Sequence, residues 1–71
     1  MSWTKQVHSS HVVSVGFNDE TQELEVEWTN GRVSGYAGVP EETALELANA
    51  PSVGGMLGSQ IKGVFPHRYV R

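Results

Sequence analysis

The chain has 71 residues, of which 38% are hydrophobic and 18% charged, and its net charge is −3. This balance is typical of one small globular domain spanning residues 1–71, and it excludes a disordered chain. No apolar run approaches the ~20 residues of a membrane helix, and the N-terminus lacks a signal-peptide stretch, so we expect a cytoplasmic protein with no membrane contact. Because there is no cysteine, disulfides and thiolate metal sites are excluded.

Alternation of apolar and polar residues predicts three strands. They are HVVSVGF (11–17), ELEVEW (23–28) and RVSGYA (32–37). In the first strand Val13, Val15 and Phe17 share the apolar side. The middle strand alternates perfectly, which places its three glutamates on one face and its apolar residues on the core face.

The Asn30-Gly31 pair between the last two strands favours a two-residue type I′ hairpin turn. In the resulting register Glu25 lies opposite Tyr36, and directly opposed residues project from the same side of a sheet. We therefore expect Tyr36 on the glutamate face and Gly35 on the core face.

A helix is predicted over VPEETALELANAP (39–51), where Pro40 suits the first turn and Pro51 stops the helix. The glycine-rich stretch 52–63 predicts a second, short helical segment. The expected fold class is α+β, with a small three-stranded antiparallel β-meander packed against one or two short helices and an ordered C-terminal segment.

Charge is distributed unevenly along the chain. All eight acids fall between Asp19 and Glu46, so residues 1–59 carry a net charge of −6 and residues 60–71 carry +3. The cationic end either contacts phosphate or an acidic partner, or docks on the acidic sheet of its own chain.

The sequence contains no arrangement of residues that is typical of a catalytic site. His8 and His11 form an H-x-x-H spacing, but side chains three apart on a strand point to opposite sides and cannot chelate a metal together. There is no nucleophile elbow and no phosphate-binding loop. The sequence therefore predicts a non-enzymatic protein without cofactor or metal.

Several short motifs follow one another along the chain in a defined order. They are Ser9-Ser10, Asn30-Gly31, Gly38-Val39-Pro40, Ser52 with Gly54, and Ile61-Lys62. With this order the chain resembles the KTSC domain from about residue 7 to 68. That module is found alone in small bacterial and phage proteins and at the C-terminus of some lysyl-tRNA synthetases. A phage-encoded protein would act in the host cytoplasm, and the resemblance implies only a suggestion of RNA binding.

This chain departs from the family pattern at its aromatic positions. The central Y-x-Y of the family falls on Ser34-Gly35-Tyr36, so one tyrosine is missing. Met56 and Leu57 occupy the two positions at which the family pattern that this chain resembles has a pair of aromatic residues. Single-strand binding uses aromatic faces on a positive surface, whereas the expected register sets Tyr36 beside glutamates.

Two functions of different classes fit these observations. The first is RNA or DNA binding through the basic C-terminal segment; the candidate residues are Arg32, Tyr36, Lys62, His67, Arg68, Tyr69 and Arg71. The second is interaction with a protein partner or self-association, with Tyr36, Phe65 or Trp3 as the anchor. As a structural alternative to base stacking, we expect Phe65 or Tyr69 to cover Tyr36, with Arg68 paired to Glu25 or Glu27.

Overall fold

The computed structural model describes residues 2–71 and shows five strands and two helical regions in that range. The strands are β1 (Trp3–Gln6), β2 (Val12–Asn18), β3 (Glu23–Trp28), β4 (Val33–Tyr36) and β5 (His67–Tyr69). Helix α1 spans Glu41–Ala48, and α2 (Val53–Met56) continues directly into a π-helical turn, Leu57–Ile61. None of the helices in residues 2–71 has the length and apolar character needed to cross a membrane.

The strands form one antiparallel sheet in the order β1-β2-β3-β4-β5. The α+β class is confirmed, whereas three was the wrong number of strands. Strands β1 and β5 are the two edges of the sheet, and their residues are exposed apart from the half-buried Trp3. Because an exposed edge strand needs no apolar alternation, neither strand shows the pattern by which the three inner strands were predicted.

Helix α1 confirms the helix predicted within residues 39–51. Pro40 is its N-cap, and Ala44, Leu47 and Ala48 are buried. These side chains pack toward β2, while the polar side chains of the helix face solvent. The helical elements thus cover one face of the sheet, and the core lies between the two layers.

The β3–β4 hairpin has a three-residue loop instead of the predicted two-residue turn. The Gly31 amide donates to the Trp28 carbonyl oxygen at 2.9 Å, and the Trp28 amide donates to the Arg32 carbonyl oxygen at 2.8 Å. Gly31 has a φ of 90°, whereas Asn30 is not among the residues with positive φ. A type I′ turn requires positive φ at both central residues, so that prediction is wrong.

The longer loop shifts the register by one residue and exchanges the faces of β4. Leu24 now pairs with Tyr36 and Glu25 with Gly35. Tyr36 lies on the core face with 2% of its surface exposed, and Gly35 lies on the glutamate face, so both predicted positions are wrong. A shift of one residue moves every side chain of a strand to the opposite side.

A β-bulge in β2 overturns one further expectation. The pairing of β2 with β3 shifts between Val12 and Ser14, which leaves Val13 as the extra residue. Val13 is 37% exposed whereas Val12 is buried. The predicted alternation therefore holds for Val15 and Phe17, which are buried, and fails at Val13.

Candidate functional site

A groove of about 720 Å³ opens on the helix-covered side of the sheet, where β3, β4 and β5 meet the residues that follow the π-helical turn. The residues that line it and enter the argument are His11, Trp28, Arg32, Ser34, Tyr36, Leu57, Lys62, His67 and Tyr69. Among residues 2–71, no aspartate or glutamate lines this groove. It is therefore a cationic and aromatic site on a protein whose net charge is −3.

Ser34 connects two aromatic side chains of the groove. The Trp28 indole Nε1 donates to Ser34 Oγ at 2.8 Å, and Ser34 Oγ lies 2.9 Å from His67 Nε2. An indole only donates, so the Ser34 hydroxyl proton remains free to bond to Nε2. With His67 Nε2 as the acceptor, the Ser34 hydroxyl both accepts from Trp28 and donates to His67, as expected for a buried hydroxyl.

Strands β4 and β5 place three rings in sequence from the floor to the rim. The centroids of the Tyr36 and His67 rings are 5.0 Å apart, and the His67 and Tyr69 rings meet edge to face at 4.8 Å. Burial raises the pKa of Tyr36, and the nearby Tyr69 raises it further. The C-terminal segment does cover Tyr36, as expected, with His67 packed on it in place of Phe65 or Tyr69.

Two cations stand at the rim, each over an aromatic ring. The Arg32 Cζ atom lies 3.8 Å from the Tyr69 ring centroid, and the Lys62 Nζ atom lies 5.2 Å from the centroid of Trp28. Such cation–π contacts orient the cation and stabilise its position by about 0.5–1 kcal/mol at an exposed site. The π-helical turn fixes Lys62, because its amide donates to the Leu57 carbonyl oxygen at 2.9 Å.

Two of the seven predicted binding residues lie on the opposite face of the sheet. Arg68 Nε and Nη2 donate to Glu23 Oε2 and Oε1 at 2.8 and 3.0 Å, so Glu23 replaces the expected partners Glu25 and Glu27. This hydrogen-bonded ion pair raises the pKa of Arg68. Arg71 lines a small depression with Glu25 and Glu27. The other five predicted residues come together in the groove.

The sequence interpretation missed Trp28, Ser34 and His11 as groove residues. Trp28 was assigned to the core with the other apolar residues of the middle strand, and the predicted register put Ser34, two residues from Tyr36, on the glutamate face. A three-residue loop sets Trp28, Ser34 and Tyr36 on one face, since Val26 then pairs with Ser34. The loop length was thus the signal that identifies the groove.

The other two predicted anchors for a protein partner are engaged within the domain. Trp3 stacks on Phe17 with centroids 6.1 Å apart, and its Nε1 donates to Glu41 Oε2 at 3.1 Å. Phe65 is partly buried against the core. Both rings are therefore packed within the domain, and neither projects freely from the surface as an anchor for a partner.

Both the sequence and the structure of this chain were compared with those of known proteins. The family model of the KTSC domain matches residues 8–65. The chain belongs to the KTSC domain family. A KTSC domain protein from Yersinia pestis, known from its crystal structure, is 29% identical, with 100% of each chain covered and a TM-score of 0.88. The search of curated proteins finds no match. The likeness to the Yersinia KTSC protein includes β1 and β5, both outside residues 8–65.

Proposed function

We propose that this KTSC domain is a non-enzymatic module that binds single-stranded nucleic acid, RNA foremost, in the groove between β5 and the π-helical turn. The observation that carries the proposal is the lining, which combines two cations with four aromatic rings and contains no carboxylate within residues 2–71. The cations are Arg32 and Lys62; the rings are Trp28, Tyr36, His67 and Tyr69.

Electrostatics support this choice of ligand. Phosphate neutralisation by lysine and arginine supplies most of the sequence-independent affinity for nucleic acid. A local positive surface attracts such an anion. The acidic remainder of the protein surface repels it. Arg32 and Lys62 are exposed at the rim, where phosphates remain hydrated while they bind.

The corrected register removes the main physical objection to base contacts. Glu25 and Glu27 project from the face opposite Tyr36, so they do not repel a backbone that lies over the groove. Base–aromatic stacking contributes roughly 1–3 kcal/mol per base. Tyr69 is 56% exposed and is the ring best placed to stack a base at the rim.

The Ser34–His67 contact supports binding better than catalysis. A serine nucleophile must reach the substrate, and its histidine base is normally oriented by a third group. Ser34 is 2% exposed and already accepts a hydrogen bond from Trp28. Within residues 2–71, no carboxylate hydrogen-bonds the His67 ring.

The decisive experiment titrates short single-stranded RNA and DNA at low and moderate salt. Arg32→Ala and Lys62→Ala each remove one groove cation, and Arg71→Ala removes one cation from the opposite face. We expect each groove variant to weaken binding and to reduce the slope of log K against log salt by about 0.7. The Arg71→Ala control should keep the affinity and the slope of wild type.

Two results would contradict the proposal. One is no binding of either nucleic acid at low salt, and the other is an Arg71→Ala variant that loses as much affinity as Arg32→Ala. Capture of a protein partner without nucleic-acid binding would identify the second class of function instead.

A further inference from the structure

We infer that the groove takes a single nucleobase with its ring inside and its phosphates at the rim, and that the Tyr36 hydroxyl recognises the edge of that base. This inference rests on the proposed function and specifies the orientation of the ligand. Four observations lead to it: the size of the groove, the chemistry of its floor, the position of its cations and the state of the Tyr36 hydroxyl.

The size of the groove limits how much of a strand can enter. Pockets for small molecules typically measure 300–1,000 Å³, and this groove measures about 720 Å³. It accommodates one base and its sugar. A run of several bases would need an extended platform of aromatic faces, whereas Tyr36 offers no such face because it is 2% exposed.

The floor of the groove favours a base over a phosphate. Val12, Tyr36 and Leu57 line it and are all buried. A phosphate among these side chains would lose its hydration without a charged partner, which is strongly unfavourable. A heteroaromatic ring carries little charge and gains contact with apolar and aromatic neighbours.

The cations occupy the complementary position. Arg32 and Lys62 are exposed and held over the Tyr69 and Trp28 rings at the rim. A base inserted between them carries one phosphate on each side of its sugar, so both cations have a partner at once. The charge distribution therefore matches a ligand that enters base first.

The Tyr36 hydroxyl is free to bond to that base. No hydrogen bond to it occurs within residues 2–71, and in the same range no buried side-chain nitrogen or oxygen lacks a partner. Because Tyr36 lines the groove, its hydroxyl must open into that space. It remains protonated at neutral pH and offers the base a donor and an acceptor.

The test compares oligouridine and oligoadenosine with abasic strands of the same length. Trp28 reports binding, since it lines the groove and is one of only two tryptophans in the chain; Trp3→Phe removes the other signal. We expect the base-containing strands to bind at least tenfold more tightly than the abasic strands and to quench Trp28. Equal affinity for abasic strands would overturn the base-first orientation.

Tyr36→Phe isolates the hydroxyl in the same assay. Loss of one hydrogen bond should weaken binding of a base-containing strand about fivefold. Affinity for the abasic strand and the salt slope should stay unchanged, because the backbone contacts remain. Full affinity of Tyr36→Phe for every base-containing strand would overturn the role of Tyr36, although the salt-dependent binding of the proposed function would persist. Absence of binding by all strands would instead reject both.

Discussion

Tyr36 combines two environments in one side chain. Its ring belongs to the buried core cluster and contacts His67, whereas its hydroxyl opens to the groove. Burial raises the pKa of Tyr36, because ionisation would place a phenolate beside apolar side chains. The same residue therefore joins the core to the groove, and its protonation state couples stability to pH.

The raised pKa of Tyr36 predicts a loss of stability in alkali. The unfolded chain releases the tyrosine proton near its ordinary pKa of 10.0, below the pKa of the folded state. The stabilisation is fully present below that value and is lost as pH rises through the folded pKa. Urea unfolding of wild type and Tyr36→Phe at pH values of about 8 and 11 should show a smaller alkaline loss for the variant. Equal losses would contradict this coupling.

The β3–β4 hairpin shows why one element can be predicted while its register cannot. The alternation of ELEVEW fixed the two faces of β3, and the structure confirms them. The adjoining Asn-Gly favours a two-residue turn but also fits a three-residue loop, since glycine takes the left-handed position in both. Burial of the Tyr36 ring decides between them, and that burial depends on helices distant in the sequence.

The loop also provides a test of backbone strain without side-chain contacts. A Cβ added at Gly31 would meet no atom within 4 Å, but the φ of this residue is 90°. We expect Gly31→Ala to lower the free energy of unfolding by about 1–2 kcal/mol, measured by urea denaturation.

Gly58→Ala is the matched control, because a Cβ there also meets nothing within 4 Å and the backbone is helical. It should be neutral or stabilising by up to about 1 kcal/mol. Equal destabilisation by both alanines would show that φ is not the cause.

The helices and the edge strands differ in how far the sequence predicts them. Helix α1 was predicted because Pro40 suits a first turn and Pro51 stops the helix, and its buried residues Ala44, Leu47 and Ala48 agree with these limits. Strands β1 and β5 carry no local signal, and they form because inner strands offer unpaired backbone groups. The part of the groove formed by His67 and Tyr69 is therefore equally hard to predict, since these residues reach it only through the pairing of β5 with β4.

At the scale of the whole molecule, β5 completes both sides of the sheet. Its alternation sends His67 and Tyr69 to the groove and Arg68 to Glu23 on the other face. Beyond it, the Val70 amide donates to the carbonyl oxygen of Val33 at 2.7 Å. Three residues thus join the groove to the acidic face.

A chain that ends at Pro66 should therefore lose stability and expose β4 as an edge. Hydrogen bonds between Val33 and residues 70 and 71 disappear along with those of β5. At about 1 kcal/mol each, the three hydrogen bonds to Val33 alone account for roughly 3 kcal/mol, so the loss should exceed that value, out of a total of about 4–10 kcal/mol for a domain of this size. Urea denaturation measures the change, and size-exclusion chromatography detects association through the new edge.

Arg68→Ala is the control for this truncation, because it removes the ion pair and keeps the backbone pairing of β5. It should be more stable than the shortened chain and elute in size-exclusion chromatography at the same volume as wild type. A shortened chain as stable as wild type would show that β5 is dispensable.

The length of the three-residue β3–β4 loop determines which face of the sheet each β4 side chain occupies, so insertions and deletions of odd and even length have different effects. Insertion or deletion of one residue there would turn β4 over and carry Tyr36 to the glutamates, abolishing the groove although the groove residues on the strands are unchanged. Two-residue changes would preserve the faces. A one-residue change would need a compensating bulge like the one at Val13. The length of this loop is thus under tighter physical constraint than the identity of the residues at its tip.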